Sequence, residues 1–297
     1  MKRTACIILC ILFISSLFCV TVSADTGPKP SVHVRLEGLG DEPCYGTLLS
    51  KDRSTGPHSA WDGDEAHAEH NENGNYSYSG FDYATWKAFV EYEDSDGYYF
   101  LQTGGRVDET GELSWTYYPP SSFKILLYFP ESNTFVVSGI CERYAFDSYF
   151  TVNMADSSAV GGELVAVRSY DYTWELISLA ARIVITVIVE MGIALIFGYT
   201  AKKQLLLLAG VNTVTQVVLN VMLNLINYRS GHQAFTSNYI LLEILIFVIE
   251  GAFYFFLLER MAGENKRSPR AIVYALIANA ASFASGFAIA GFLPGIF

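Results

Sequence analysis

Four long apolar runs, at 177–199, 205–226, 239–258 and 271–293, constrain this chain more than any other feature. Each is close to the ~20 helical residues that cross a bilayer. None is purely apolar. The first carries Ser178, Arg182, Thr186 and Glu190, spaced by four so that they share one helix face. The second carries Asn212, Thr215, Gln216, Asn220 and Asn224, the third Tyr239, Glu243, Glu250 and Tyr254, and the fourth Asn279, Ser282 and Gly286. In lipid such faces turn inward and meet one another. A four-helix transmembrane bundle with a polar seam is therefore expected.

Loop charges give an orientation. Lys202 and Lys203 lie between the first two runs, and Arg260, Lys266, Arg267 and Arg270 between the last two. Both loops are expected in the cytoplasm. The loop 227–238 holds only Arg229 and is expected outside, with the chain before the first run and the C-terminus. At ~1.5 Å per residue, Glu190 and Glu250 fall within about 3 Å of the mid-plane. Arg182 and Glu243 fall roughly 9 Å outward of it.

Two polar layers result. The outer one contains Arg182 and Glu243, read as a structural ion pair. The central one contains Glu190, Glu250, Asn212 and Asn279, with Gln216 and Ser282 on the same stripes. Asn, Gln and Ser at such positions also serve simply to join helices. A mid-membrane carboxylate is costly, and by default it points to function. The pair is expected either to share a proton or to bridge a cation, with two permanently protonated, hydrogen-bonded glutamates as the bland alternative.

Ahead of the spans, residues 1–24 read as a secretory signal peptide. Lys2 and Arg3 begin it, an apolar core follows, and Val22-Ser23-Ala24 ends it. Residues 25–173 form an exported domain, and 174–297 the transmembrane domain. The chain has 297 residues and a net charge of −11. Residues 25–170 hold 23 acidic and 9 basic residues, a balance of −14. That argues against nucleic acid as a partner. The expected partners are the lipid bilayer and an extracytoplasmic ligand or envelope protein. No cofactor is expected.

Short runs rich in β-branched and aromatic residues recur at 32–36, 45–50, 98–102, 113–117, 124–129, 134–138, 143–146, 149–153 and 164–168. One helix is expected over 81–92. The fold class is thus an α+β membrane protein: an extracytoplasmic antiparallel β-rich domain, sandwich or barrel, then four transmembrane helices.

Residues 52–80 read as a polar loop. Asp62, Asp64, Glu65, His67, Glu69 and His70 are metal-ligand types there, without a metal-binding spacing, so a solvated loop is preferred. Asn75-Tyr76-Ser77 fits a glycosylation acceptor. The acidic stretch Glu91, Glu93, Asp94 and Asp96 fails the EF-hand spacing and reads as a turn before Gly97. Cys44 and Cys141 are the cysteines left after signal cleavage. They are expected either to form a disulfide, which an exported domain would preserve, or to be two buried thiols.

Several chemistries are excluded. The apolar runs contain no histidine, aspartate or cysteine, and His-Glu-x-x-His is absent. Intramembrane metallo-, serine and di-aspartyl proteases and thiol oxidoreductases all lack a required residue. No nucleophile–base pair stands out, so an enzyme is not the first expectation.

The motifs Asn212-x-x-Thr215, Glu243 with Glu250, Asn279-x-x-Ser282-x-x-x-Gly286 and the stretch ERYAFDSYF at 142–150 resemble a group of uncharacterised bacterial membrane proteins, chiefly Gram-positive. The resemblance covers most of the mature chain and implies a multi-pass protein of the cell membrane, with no activity attached. The expected function is an envelope protein with an extracytoplasmic binding or sensing domain. The alternative is a small proton- or cation-coupled transporter that works through its intramembrane glutamates.

Overall fold

The computed structural model describes residues 27–64, 81–155, 163–264 and 267–292, the last six as backbone only. The signal-peptide segment, Glu65, His67, Glu69, His70 and the Asn75 acceptor lie outside the described residues. The chain divides into two compact units, 28–170 and 171 onward.

The first unit is β-rich. Its strands are β1 (Ser31–Glu37), β2 (Tyr45–Ser50), β3 (Ser54–Thr55), β4 (His58–Ser59), β5 (Tyr99–Phe100), β6 (Gly105–Arg106), β7 (Glu112–Trp115), β8 (Ser122–Phe129), β9 (Thr134–Val137), β10 (Cys141–Glu142), β11 (Asp147–Asn153) and β12 (Ala166–Arg168). Helix α1 (Tyr83–Glu91) falls between β4 and β5. One sheet has the order β12-β11-β1-β7, the other β10-β8-β2-β5 with β6 beside β2 and β9 beside β8.

The first sheet is mixed, not antiparallel as expected. β1 runs parallel to β11, with Ser31 opposite Asp147 and Glu37 opposite Asn153. Side-chain alternation fixes which face a strand buries but says nothing about its direction. The expected strand at 143–146 is instead an irregular segment after the short β10.

Period-2 alternation builds three layers. Val32, Val34 and Leu36 of β1 meet Phe123, Ile125 and Leu127 of β8 in a core between the two sheets. The intervening residues of β8, Leu126 and Tyr128, face the other way and pack with Phe81, Trp86 and Phe89 around α1. β8 is therefore buried on both faces, which explains its unbroken apolar run. Asp82 caps α1, its side chain accepting from the Thr85 N–H at 2.7 Å.

Lys124 points to the α1 side of β8 and is 3 % exposed. Its ammonium donates to Asp94 at 2.8 Å and to Asp96. A lysine thus sits among the carboxylates that the sequence places before Gly97, in a turn closed by Gly97 N–H donating to Asp94 O. Burial by itself pushes Asp94 up; the Lys124 ammonium and the Tyr98 and Asp96 N–H groups outweigh it and hold the carboxyl below the usual aspartate range.

Of the two alternatives for the cysteines, the structure has the buried thiols. Cys44 and Cys141 are both free and buried. Cys141 lies opposite Phe123 at one end of β8, whereas Tyr45, the neighbour of Cys44, lies opposite Tyr128 near the other end. At ~3.3 Å per residue that separates them by well over the ~7 Å between Cα atoms that a disulfide tolerates. Burial pushes the Cys44 thiol up to about 12.

The second unit is helical: α2 (Thr173–Ile196), α3 (Lys202–Met261) and α4 (Pro269–Phe292). α2 and α3 are long and apolar enough to cross a membrane. The 60 residues of α3 are not one rod. Gly231 breaks them, with φ 81° and ψ 174°, a conformation that side chains beyond glycine rarely adopt. Gln204 hydrogen-bonds the Leu258 carbonyl, Thr215 bonds Glu250, and Leu219 and Leu223 pack with Ile246. All these pairs centre near residue 231, so α3 is a helical hairpin. The expected loop at 227–238 is helix on both sides of that glycine.

Candidate functional site

The helical unit is polar within and apolar without. Ile188 is 66 % exposed and Ile196 83 %, while Glu190, Asn212 and Glu250 are fully buried. A protein folded in water shows the opposite pattern. The buried face of α2 is Arg182, Thr186, Glu190 and Ala194, one residue per turn. The first half of α3 buries Gln204, Leu208, Asn212, Gln216 and Asn220 at the same interval. The second half buries Glu250, Tyr254 and Leu258. α4 contributes Ala271, Tyr274, Ala275, Ala278, Asn279 and Ser282.

These faces bring the central layer together. Asn279 Nδ2 donates to Glu250 Oε2 at 2.8 Å, and the Thr215 hydroxyl donates to Glu250 Oε1. Thr215 Oγ1 also lies near the Val211 and Asn212 carbonyls, but the carboxylate is the stronger acceptor. Both oxygens of Glu250 therefore receive a hydrogen bond.

Glu190 is different. Glu250, Asn212 and Ser282 lie beside its carboxyl group. Yet among the described residues no donor reaches either oxygen. Asn212 Nδ2 gives one of its two hydrogens to the Leu208 carbonyl at 3.1 Å, and Ser282 Oγ donates to the Asn279 carbonyl at 3.0 Å. Asn212 Oδ1 and the Tyr254 hydroxyl likewise lack partners.

The outer layer assembles through an aromatic ring. The Arg182 guanidinium stands over Phe235 and Tyr239, 5.6 and 5.5 Å from their centroids. The Tyr239 hydroxyl lies beside the Glu243 carboxylate, which is also within electrostatic reach of Arg182. Tyr239 thus joins the two residues read from sequence as an ion pair. Gln216 is buried on the same face of α3 as Asn212, its backbone carbonyl accepting from Asn220 Nδ2 at 2.8 Å.

Toward the helix ends that carry Lys202 and Arg270, the seam closes. Ala194, Leu208, Tyr254, Leu258, Tyr274 and Ala278 form a dry cluster there. Tyr274 donates to the Glu190 carbonyl at 3.2 Å, tying this plug to the carboxylate layer. Sequence reasoning missed Tyr274, because the polar positions of α4 begin five residues later; its place beside Ala271, Ala275 and Ala278 is the available signal. It also named Thr215 without giving it the Glu250 contact, since the partner lies across the hairpin.

A second polar cluster lies in the β-rich unit, also unforeseen. Ser31, His33, Glu112 and Asp147 line up on one face of β1, β7 and β11. His33 Nε2 is 3.0 Å from Ser31 Oγ, and Nδ1 is 2.9 Å from Glu112 Oε1. The spacing is that of a nucleophile, base and acid, but the hydrogens run the wrong way. Ser31 gives its hydrogen to Asp147, so His33 Nε2 is the donor to Ser31 rather than its base. Tyr149 stacks on the His33 ring at 5.1 Å. A groove of about 750 Å³ runs beside it, lined by Arg35, Glu37, Glu112 and Tyr149 among others. Among the described residues no group of three or more His, Cys, Asp or Glu side chains is placed to hold a metal.

Compared with known protein families, curated proteins and solved structures, the chain matches none.

Proposed function

We propose that this chain is a multi-pass protein of a bacterial cell membrane, with an exported β-rich domain for recognition and a four-span helical bundle as its responsive element. The observation that carries the reading is the fully buried Glu190/Glu250 pair inside helices whose outer surfaces are apolar. An anchor needs no such pair, and burying it is costly. The signal-peptide pattern and the basic residues near 202 and 266 support an outside location for residues 25–173 and the C-terminus. The groove beside His33 and Tyr149 is the natural place for an extracytoplasmic ligand or envelope partner.

Sensing is favoured over transport by the aromatic plug. The Tyr254/Tyr274 cluster fills the seam on the side of Lys202 and Arg270, and alternating access requires that it open, whereas sensing does not. Transport through the glutamates is the second reading, supported by their full burial in the polar seam.

Topology tests the proposal directly. Single cysteines at Lys203→Cys and Glu131→Cys, both exposed positions, are introduced into a variant lacking the native cysteines. An impermeant thiol reagent applied to intact cells should label position 131 and spare position 203. The reverse pattern overturns the assigned orientation.

A further inference from the structure

We infer that Glu190, Asn212 and Glu250 form a binding site for a small monovalent cation of the sodium class. The inference rests on the reading of the helical unit as membrane-embedded and names the occupant of its central layer.

Three buried oxygens carry it: both carboxyl oxygens of Glu190 and Asn212 Oδ1, none of which receives a hydrogen bond. They are neighbours, and the residues are fully buried. All three are acceptors. Leaving them unmatched in a dry seam carries the full desolvation penalty. A proton answers only part of this. It turns one Glu190 oxygen into a donor toward Asn212 and leaves the other Glu190 oxygen unserved. A cation coordinates all three at once and neutralises the Glu190 charge.

The donor set narrows the species. Every candidate ligand is a hard oxygen, which excludes soft transition metals. The Ser282 hydroxyl, beside Glu190, extends the shell without adding charge. Calcium takes six to eight oxygens, commonly including several carboxylates, and magnesium holds an octahedron with retained water. Thr215 and Asn279 hydrogen-bond both oxygens of Glu250 and stabilise its charge without an ion, so the open carboxylate oxygens are those of Glu190. One free carboxylate and neutral oxygens match a single charge. Arg182 stands one layer outward, with Tyr239 and Glu243, and leaves this position to another cation.

Cation and proton then compete, since a ligating carboxylate must be deprotonated. The groups facing Glu190 are Glu250 directly, Glu243 farther out, and the Tyr254 and Tyr274 hydroxyls on the closed side.

The test uses the purified full chain in nanodiscs. Its thermal midpoint is followed while NaCl replaces choline chloride at constant ionic strength, at two pH values. The midpoint should rise with NaCl as mass action requires, more at the higher pH, and stay level in choline. Glu190→Gln and Asn212→Ala should each weaken the apparent sodium affinity by more than the ~10–100-fold that losing an outer-shell partner costs. If Glu190→Gln does not fold, Asn212→Ala reads the same quantity with the charge intact. Equal stabilisation by choline, a response to pH alone, or sodium selectivity unchanged in both variants overturns the inference. None of these results touches the topology, which the labelling experiment decides separately.

Discussion

Arg182 shows how a residue can be placed by sequence while its surroundings are not. Helical spacing puts it on the inward face of α2, level with Glu243. Only the fold supplies Tyr239, whose ring lies under the guanidinium and whose hydroxyl meets the carboxylate. Removing one member of such a group strands the other, at a cost of about 3–5 kcal/mol in a buried site. Arg182→Ala should therefore destabilise the protein more than the double change Arg182→Met with Glu243→Gln, as read from thermal unfolding in detergent. A double variant no better than the single one separates the two residues. The cysteines lead to a second prediction at this scale. With Cys44 pushed up to about 12 by burial and both thiols free, gel mobility should not depend on reductant. Both thiols should react with an alkylating reagent only after unfolding. A mobility shift on reduction would contradict the separation along β8.

The hairpin α3 is where an element-scale argument matters most. Two apolar stripes separated by a polar loop were legible, but not a helix that continues almost to Gly231. The break depends on one residue at φ 81°. Gly231→Ala should cost about 1–3 kcal/mol through backbone strain, without altering the composition of either half. Thermal unfolding of this variant, with Gly210→Ala as a control in the adjacent helix, measures it; equal effects would remove Gly231 from its role as the hinge. In the β-rich unit, β8 carries the comparable feature. Asp94 is held below its ordinary range, so its contribution is fully present above the ordinary value of ~4 and is lost as pH falls through the lowered one. Acid unfolding of the parent should show that loss. In Lys124→Met the stabilisation should be absent, and paired Lys124→Met/Asp94→Asn should recover part of the stability that the single change loses.

At the scale of the whole molecule, the two units follow opposite solvent rules. The β-rich unit buries Val, Leu, Ile and Phe and exposes its charges, whereas the helical unit buries Glu, Asn and Gln and exposes Ile, Val and Leu. Each arrangement suits a different medium, water for one and lipid for the other. The closed end of the helical unit, near Lys202 and Arg270, leads to a functional expectation. Vesicles containing the protein should show no cation flux above empty vesicles under a sodium gradient. A flux that disappears in Glu190→Gln would favour transport over sensing.

The sequence by itself determined the inward stripes that hold Glu190 and Glu250, the apolar lengths, and most of the strands. All of these follow from local periodicity, 3.6 for helix and 2 for strand, which a linear chain states directly. The tertiary structure alone decided the parallel pairing of β1 with β11, the distance between Cys44 and Cys141, and the ring of Tyr239 under Arg182. It also decided that Thr215 and Asn279 serve Glu250 while Glu190 receives no donor. Those facts concern which groups meet across elements far apart in the chain. Periodicity fixes the face a residue presents; only packing fixes what stands opposite it.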